Sequence, residues 1–187
     1  MKKLLILFIA ITSLATAQKQ DITLDEIWNG TFRTERMNSL NSMNGDFYSL
    51  LNFDRASRSS SVDKYSYATL EKVEAIVNSK DLSDLSYFEN YKFNNDETQL
   101  LLGVNSEPIY RRSSLGVFYV YDVASQKLQL IDKDKIQEPT FSPDSKKVAY
   151  AKNNNIFIKN LVSGEVAQIT SDGKKNYIIN GICDWVY

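Results

Sequence analysis

Two stretches of the chain repeat one pattern of apolar and polar positions. "FNNDETQLLL" from Phe93 and "FSPDSKKVAY" from Phe141 share an aromatic residue, an acid three positions on, and an apolar run beginning at the eighth position. Phe93, Asp96 and Leu100 thus answer to Phe141, Asp144 and Val148. "MNGDFYSLL" from Met43 is a fainter copy, with Asp46 and Leu50 in the same register, and the copies are spaced by 50 and 48 residues. Downstream of each comes an alternating strand and a hairpin: "FYVYDVASQKLQLI" from Phe118, "IFIKNLVSGEVAQI" from Ile156, and "YSYATLEKVEAI" from Tyr65 as a weaker relative. Alternation at period two marks strands, and Ser163-Gly164 supplies the positive φ that a tight hairpin turn needs.

The last two strand pairs are offset by 38 residues, whereas their leading turns are offset by 48. The middle repeat therefore carries about ten extra residues between its first two strands, in or near "NSEPIYRRSSLG", residues 105 to 116. An insertion at one place in a repeat projects from one face and often carries binding. Repeats of this length, each an antiparallel set of strands opened by a turn with Asp and Pro or Asn, predict the blades of a β-propeller; an ordinary β-sandwich is the competing architecture. The fold class expected is all-β, an incomplete propeller of about three blades, since a closed ring typically needs four to eight. "DRASRSSSVDK", residues 54 to 64, reads as a polar loop inside the first blade. Ahead of the repeats, "TLDEIWNG" reads as a short helix with Thr23 as N-cap, Glu26 completing a capping box, and Gly30 as its end. Asn29-Gly30-Thr31 also matches a glycosylation acceptor.

Composition adds a leader to this picture. Lys2 and Lys3 precede an apolar run from Leu4 to Leu14 and a small-residue cleavage site at Ala15-Thr16-Ala17, the layout of a secretory signal peptide too short to span a bilayer. The expected organisation is a signal peptide over 1–17, an N-terminal segment with the short helix over 18–42, and the blades over 43–187. The protein is expected to be exported, to a periplasmic or extracellular location. A formal net charge of -1 gives no electrostatic reason to expect nucleic acid or an anionic membrane surface as partner.

The chain of 187 residues has no histidine, which removes a Ser-His-Asp or Cys-His arrangement and the helical zinc-protease motif from this stretch. It has no GxSxG elbow, P-loop or GxGxxG, and nothing in it asks for a metal or cofactor. Cys183 is its one cysteine, so no disulfide forms within the chain, and its apolar neighbours predict a buried, inert thiol. Arg111 and Arg112 are adjacent cations in the inserted segment, and a guanidinium offers several fixed donors to a carbonyl or carboxylate.

Taken together, "ITLDEIWNGTF", "YRRSSLGVFYVYD", "FSPDSKKVAYAKNNNIFIKNL" and "ITSDGKKNYIINGICDWVY" resemble the N-terminal propeller of the dipeptidyl peptidase IV family of exported serine peptidases, in the family's order. The resemblance implies a parent with a propeller and a C-terminal α/β-hydrolase domain, removing dipeptides with proline or alanine in the second position from peptides with a free N-terminus. In the family, the Asp-Trp-Val-Tyr segment leads into a glutamate run, so the chain is expected to be the front portion of a larger protein. The catalytic serine, aspartate and histidine would all lie beyond it, and the parent could form a homodimer. The family's carbonyl-binding arginine aligns with Arg111 when "FYVYD" is held in register, with Arg112 as the adjacent alternative. A tripeptidyl-releasing variant stays open, as does a different class of function: an exported propeller that binds or scaffolds without catalysis.

Overall fold

The computed structural model describes residues 21–34, 39–109 and 113–183. The expected leader, Arg111, Arg112 and the terminal Asp184–Tyr187 lie outside the described residues. The chain divides into two units, residues 1–36 and 37–187.

In the first unit, helix α1 (Leu24–Trp28) is set by the predicted capping box. Thr23 Oγ1 accepts from the Glu26 amide, and the Glu26 carboxylate accepts from the Thr23 amide at 2.8 Å. Gly30 follows in the left-handed region at φ +86°, which ends the helix.

The second unit holds three four-stranded antiparallel meanders in succession. The first comprises β1 (Asn41–Met43), β2 (Phe47–Asp54), β3 (Ser59–Ser66) and β4 (Lys72–Asn78); the second β5 (Asn90–Phe93), β6 (Gln99–Pro108), β7 (Ser114–Asp122) and β8 (Lys127–Leu130); the third β9 (Gln137–Phe141), β10 (Lys147–Lys152), β11 (Asn155–Asn160) and β12 (Val166–Gln168). These are consecutive propeller blades. The first begins at Asn41, two residues ahead of the expected boundary.

The apolar run in β6 explains why the blades stack. Leu100, Leu102 and Val104 face the first blade, in a cluster with Leu51, Val62, Val77 and Phe88. Leu101 between them faces the third, with Val120, Ile131, Ile136, Val148 and Tyr150. Since successive strand side chains point to opposite faces, a stretch of strand buried on both sides carries no polar side chain, and residues 100–104 of β6 carry none. Burying each such leucine contributes roughly 1.5–3 kcal/mol.

The repeat register holds in the second and third blades, where Phe93 pairs with Leu100 and Phe141 with Val148. Each turn also places its fifth residue, Glu97 or Ser145, at positive φ. The Asn94 side chain then accepts from the Thr98 and Gln99 amides, as the Ser142 hydroxyl accepts from the Lys147 amide. The turns are joined in series: the Asn44 amide donates to Glu97 Oε1 at 2.6 Å, and Asn94 Nδ2 to Ser145 Oγ at 2.9 Å. In the first blade Met43 pairs with Phe47, not Leu50. Its turn is three residues shorter, because Gly45 at φ +75° reverses the chain at once.

Two sequence expectations are corrected. Residues 59–64 are strand, not loop, with Ser59, Ser60 and Asp63 buried. The Ser60 hydroxyl donates to the Phe88 carbonyl at 2.7 Å and accepts from the Phe88 amide, while its own amide donates to Ser79 Oγ. Small hydroxyls satisfied by the linker thus make a serine run fit for an inter-blade face. Cys183, expected buried, is exposed; it lies beyond the last strand, where apolar neighbours in sequence do not enclose it.

Between the second and third blades sits a charged contact. Lys152 Nζ lies 2.6 Å from Asp132 Oδ2, which also accepts from the Tyr150 hydroxyl at 2.8 Å. The Asp134 amide donates to the other oxygen, and Lys159 Nζ donates to the carbonyls of Leu130 and Ile131. Burial opposes charge on Asp132, but Lys152, the Asp134 amide and the Tyr150 hydroxyl together hold its pKa below the usual carboxylate value. The hydrogen bond to Asp132 in turn raises that of Lys152.

Candidate functional site

The site is built where the second blade departs from the third. In the third blade Lys152 pairs with Asn155, and the strands are joined by Asn153 and Asn154 alone, both at positive φ. That is the geometry of a two-residue hairpin turn. In the second blade the corresponding pair is Val104 and Val117, with residues 105–116 between them. Twelve residues replace two, so the ten extra residues fall where the repeat offset put them.

Most of the insertion extends the hairpin itself. Glu107 pairs with Leu115 and Pro108 with Ser114, after a register shift that leaves one more residue on β6 than on β7. The Ile109 amide donates to the Ser113 carbonyl at 2.8 Å, closing the described end of the hairpin. Asn105 begins the shift at φ +52°, a conformation Asn tolerates better than most residues. Gly116 lies opposite, where a Cβ would stand 3.0 Å from the Phe118 ring and the ring would have to give by a few tenths of an ångström.

Both inter-blade linkers hold this extension. From the first, the Tyr87 hydroxyl donates to Asn105 Oδ1 at 3.0 Å, and Glu89 Oε2 accepts from the Ser106 amide at 3.0 Å. From the second, Lys135 Nζ donates to the Asn105 carbonyl at 2.7 Å and pairs with Glu107 Oε1 at 2.7 Å. Gly116 and Ile136 exchange backbone hydrogen bonds, and Gln137 Nε2 donates to Ser113 Oγ. Arg111 and Arg112 fall in the interval between Ile109 and Ser113, outside the described residues. The sequence reading missed Tyr87, Glu89, Lys135 and Gln137, which come from segments distant in sequence and carry no local motif. Asn105 was missed as well, though an Asn, which tolerates positive φ, at the start of the insertion is a signal that could have marked it.

The comparisons with known proteins agree with this layout. The family described as the dipeptidyl peptidase IV (DPP IV) N-terminal region matches residues 94–187, which span the second blade from its turn onward and all of the third. A probable dipeptidyl-aminopeptidase B of Talaromyces marneffei is 28% identical over 92% of this chain and 21% of its own length. The corresponding protein of Trichophyton verrucosum is 43% identical over 42% of this chain and 9% of its own. Among solved structures, Porphyromonas gingivalis dipeptidyl peptidase 4 matches with a TM-score of 0.76 and 31% identity, over 90% of this chain and 24% of that one. The chain thus spans about a fifth of the length of the Talaromyces marneffei protein. With the match taking in the inserted hairpin and the blade that follows it, the chain belongs to the dipeptidyl peptidase IV family, as its N-terminal region.

Proposed function

We propose that this chain is the propeller portion of an exported serine-type dipeptidyl peptidase, which releases dipeptides with proline or alanine in second place from peptides with a free N-terminus. In this reading the inserted hairpin presents Arg111 to a substrate carbonyl, and the serine, aspartate and histidine of catalysis come from sequence outside this chain. The observation that carries it is the ten-residue hairpin extension, braced from both linkers, whose sequence includes two adjacent arginines. A guanidinium contact of this kind orients the substrate and performs no proton transfer, consistent with a stretch that lacks histidine.

The test is a glycyl-prolyl reporter peptide offered to the full-length gene product and, separately, to the isolated chain. The full-length protein should release the chromophore with an intact dipeptide, and acetylating the reporter's N-terminus should abolish release. The isolated chain should release none. Turnover by the isolated chain would overturn the reading, and so would an inert full-length protein that binds peptide without cleaving it, the behaviour of a scaffold.

A further inference from the structure

We propose that Lys135 is the positioning residue of the inserted hairpin, fixing the bulge from which the Arg111 loop springs and thereby setting substrate affinity; the second half of this statement rests on the function proposed above. A β-bulge bends its strand and redirects what lies beyond it, so the aim of this hairpin is decided at Asn105–Glu107. Lys135 reaches that bulge twice with one ammonium group, taking the carbonyl of the left-handed residue Asn105 and the carboxylate of Glu107, each at 2.7 Å. No neighbouring pair of β6 and β7 can do this, because the register shift breaks the ladder between Val104 and Glu107. The bulge has other ties, but each meets a single residue: Tyr87 the Asn105 side chain, Glu89 the Ser106 amide, and Ile136 the Gly116 backbone opposite, whereas Lys135 spans the bulge from Asn105 to Glu107.

The contact is a poor device for stability. The Lys135 and Glu107 side chains are 30% and 65% exposed, and ion pairs so placed contribute little to folding. What Lys135 specifies is local: its site on the linker is fixed by the Ile136 backbone pairing with Gly116 and by Ile136 being fully buried. A rigid base, a short reach and a target at the bend make its removal a change of hairpin geometry with the blade left intact.

The experiment compares wild type, Lys135→Ala and Lys135→Arg in the full-length gene product, by hydrogen–deuterium exchange and by steady-state kinetics on the glycyl-prolyl reporter. In Lys135→Ala, peptides covering 105–116 should exchange roughly three- to tenfold faster while those covering β5, β9 and β10 stay unchanged, the scale expected for losing one hydrogen bond of ordinary strength and a weak exposed ion pair. KM should rise by a similar factor with kcat nearly constant, and Lys135→Arg should recover most of both effects. Lys135→Ala should add nothing to the KM of Arg111→Ala. Unaltered exchange over 105–116, or acceleration spread over all three blades, overturns the positioning role. Faster local exchange with unaltered KM overturns the link to substrate; if Arg111→Ala is silent as well, the failure belongs to the proposed function and the exchange result still decides the role of Lys135.

Discussion

Arg111→Ala in the full-length gene product should lower kcat/KM on an Xaa-Pro reporter by roughly one to two orders of magnitude, because a hydrogen bond from a charged group is worth about 1.5–3 kcal/mol. On the proposed function, the loss should leave the full-length protein's reaction with a small serine-phosphonylating reagent nearly intact, since orienting the substrate's N-terminal end is not part of that chemistry. Arg111→Lys should restore little, as an ammonium lacks the fixed fork of donors. Arg112→Ala should do less than Arg111→Ala. Equal kinetics for Arg111→Ala and wild type would remove Arg111 from the site, and a loss confined to Arg112→Ala would shift the assignment by one residue.

Lys152→Met should destabilise the protein by about 2–3 kcal/mol at pH 7, measured by urea unfolding. The substitution removes the cation both from a carboxylate only 9% exposed and from over the Phe157 ring. Asp132 would retain the Tyr150 hydroxyl and the Asp134 amide, which partly offset the loss. The effect depends on pH in a defined sense. The folded-state pKa of Asp132 is depressed, so its contribution is present above the unfolded value near 3.9 and fades as pH falls through the folded value. That of Lys152 is raised, so its contribution is present below about 10.4 and is lost as pH rises through the folded value. The gap between wild type and Lys152→Met should therefore be widest between about pH 4 and 10. A gap that persists undiminished at pH 2 would mean that the lysine acts through packing and not through Asp132.

What was legible in the sequence followed from local rules with one physical cause each. The capping box at Thr23 and Glu26, the turn at Ser163-Gly164 and the Phe93 and Phe141 turns each rest on contacts within a few residues. The insertion was legible because a repeat supplies its own ruler: the third blade shows the length the second would have without it. Where partners came from elsewhere in the chain, local rules failed. The stretch 54–64 reads as loop because serine clusters usually are, yet Ser49 shares a hydrogen bond with the Tyr91 hydroxyl and Ser60 serves the Phe88 backbone, so the first inter-blade face is partly polar and still satisfied. Glycine shortened the first turn and moved the partner of Met43 from Leu50 to Phe47, a change that pattern matching at fixed spacing could not register. Cys183 failed for a different reason: burial depends on what covers a segment, and apolar neighbours at Ile182 do not supply a cover. The braces of the candidate site, above all Lys135, belong to this second class, since a lysine in a linker carries no sign of the bulge it meets.

In this reading the insertion is a functional addition to a blade whose repeat length is complete without it. The direct measurement replaces residues 105–116 of the full-length gene product with the Asn-Asn turn found at Asn153–Asn154 in the third blade. The shortened protein should unfold as cooperatively as wild type and react with the phosphonylating reagent at a similar rate, while kcat/KM on the glycyl-prolyl reporter falls at least as far as in Arg111→Ala. A shortened protein with unchanged kcat/KM would contradict the account.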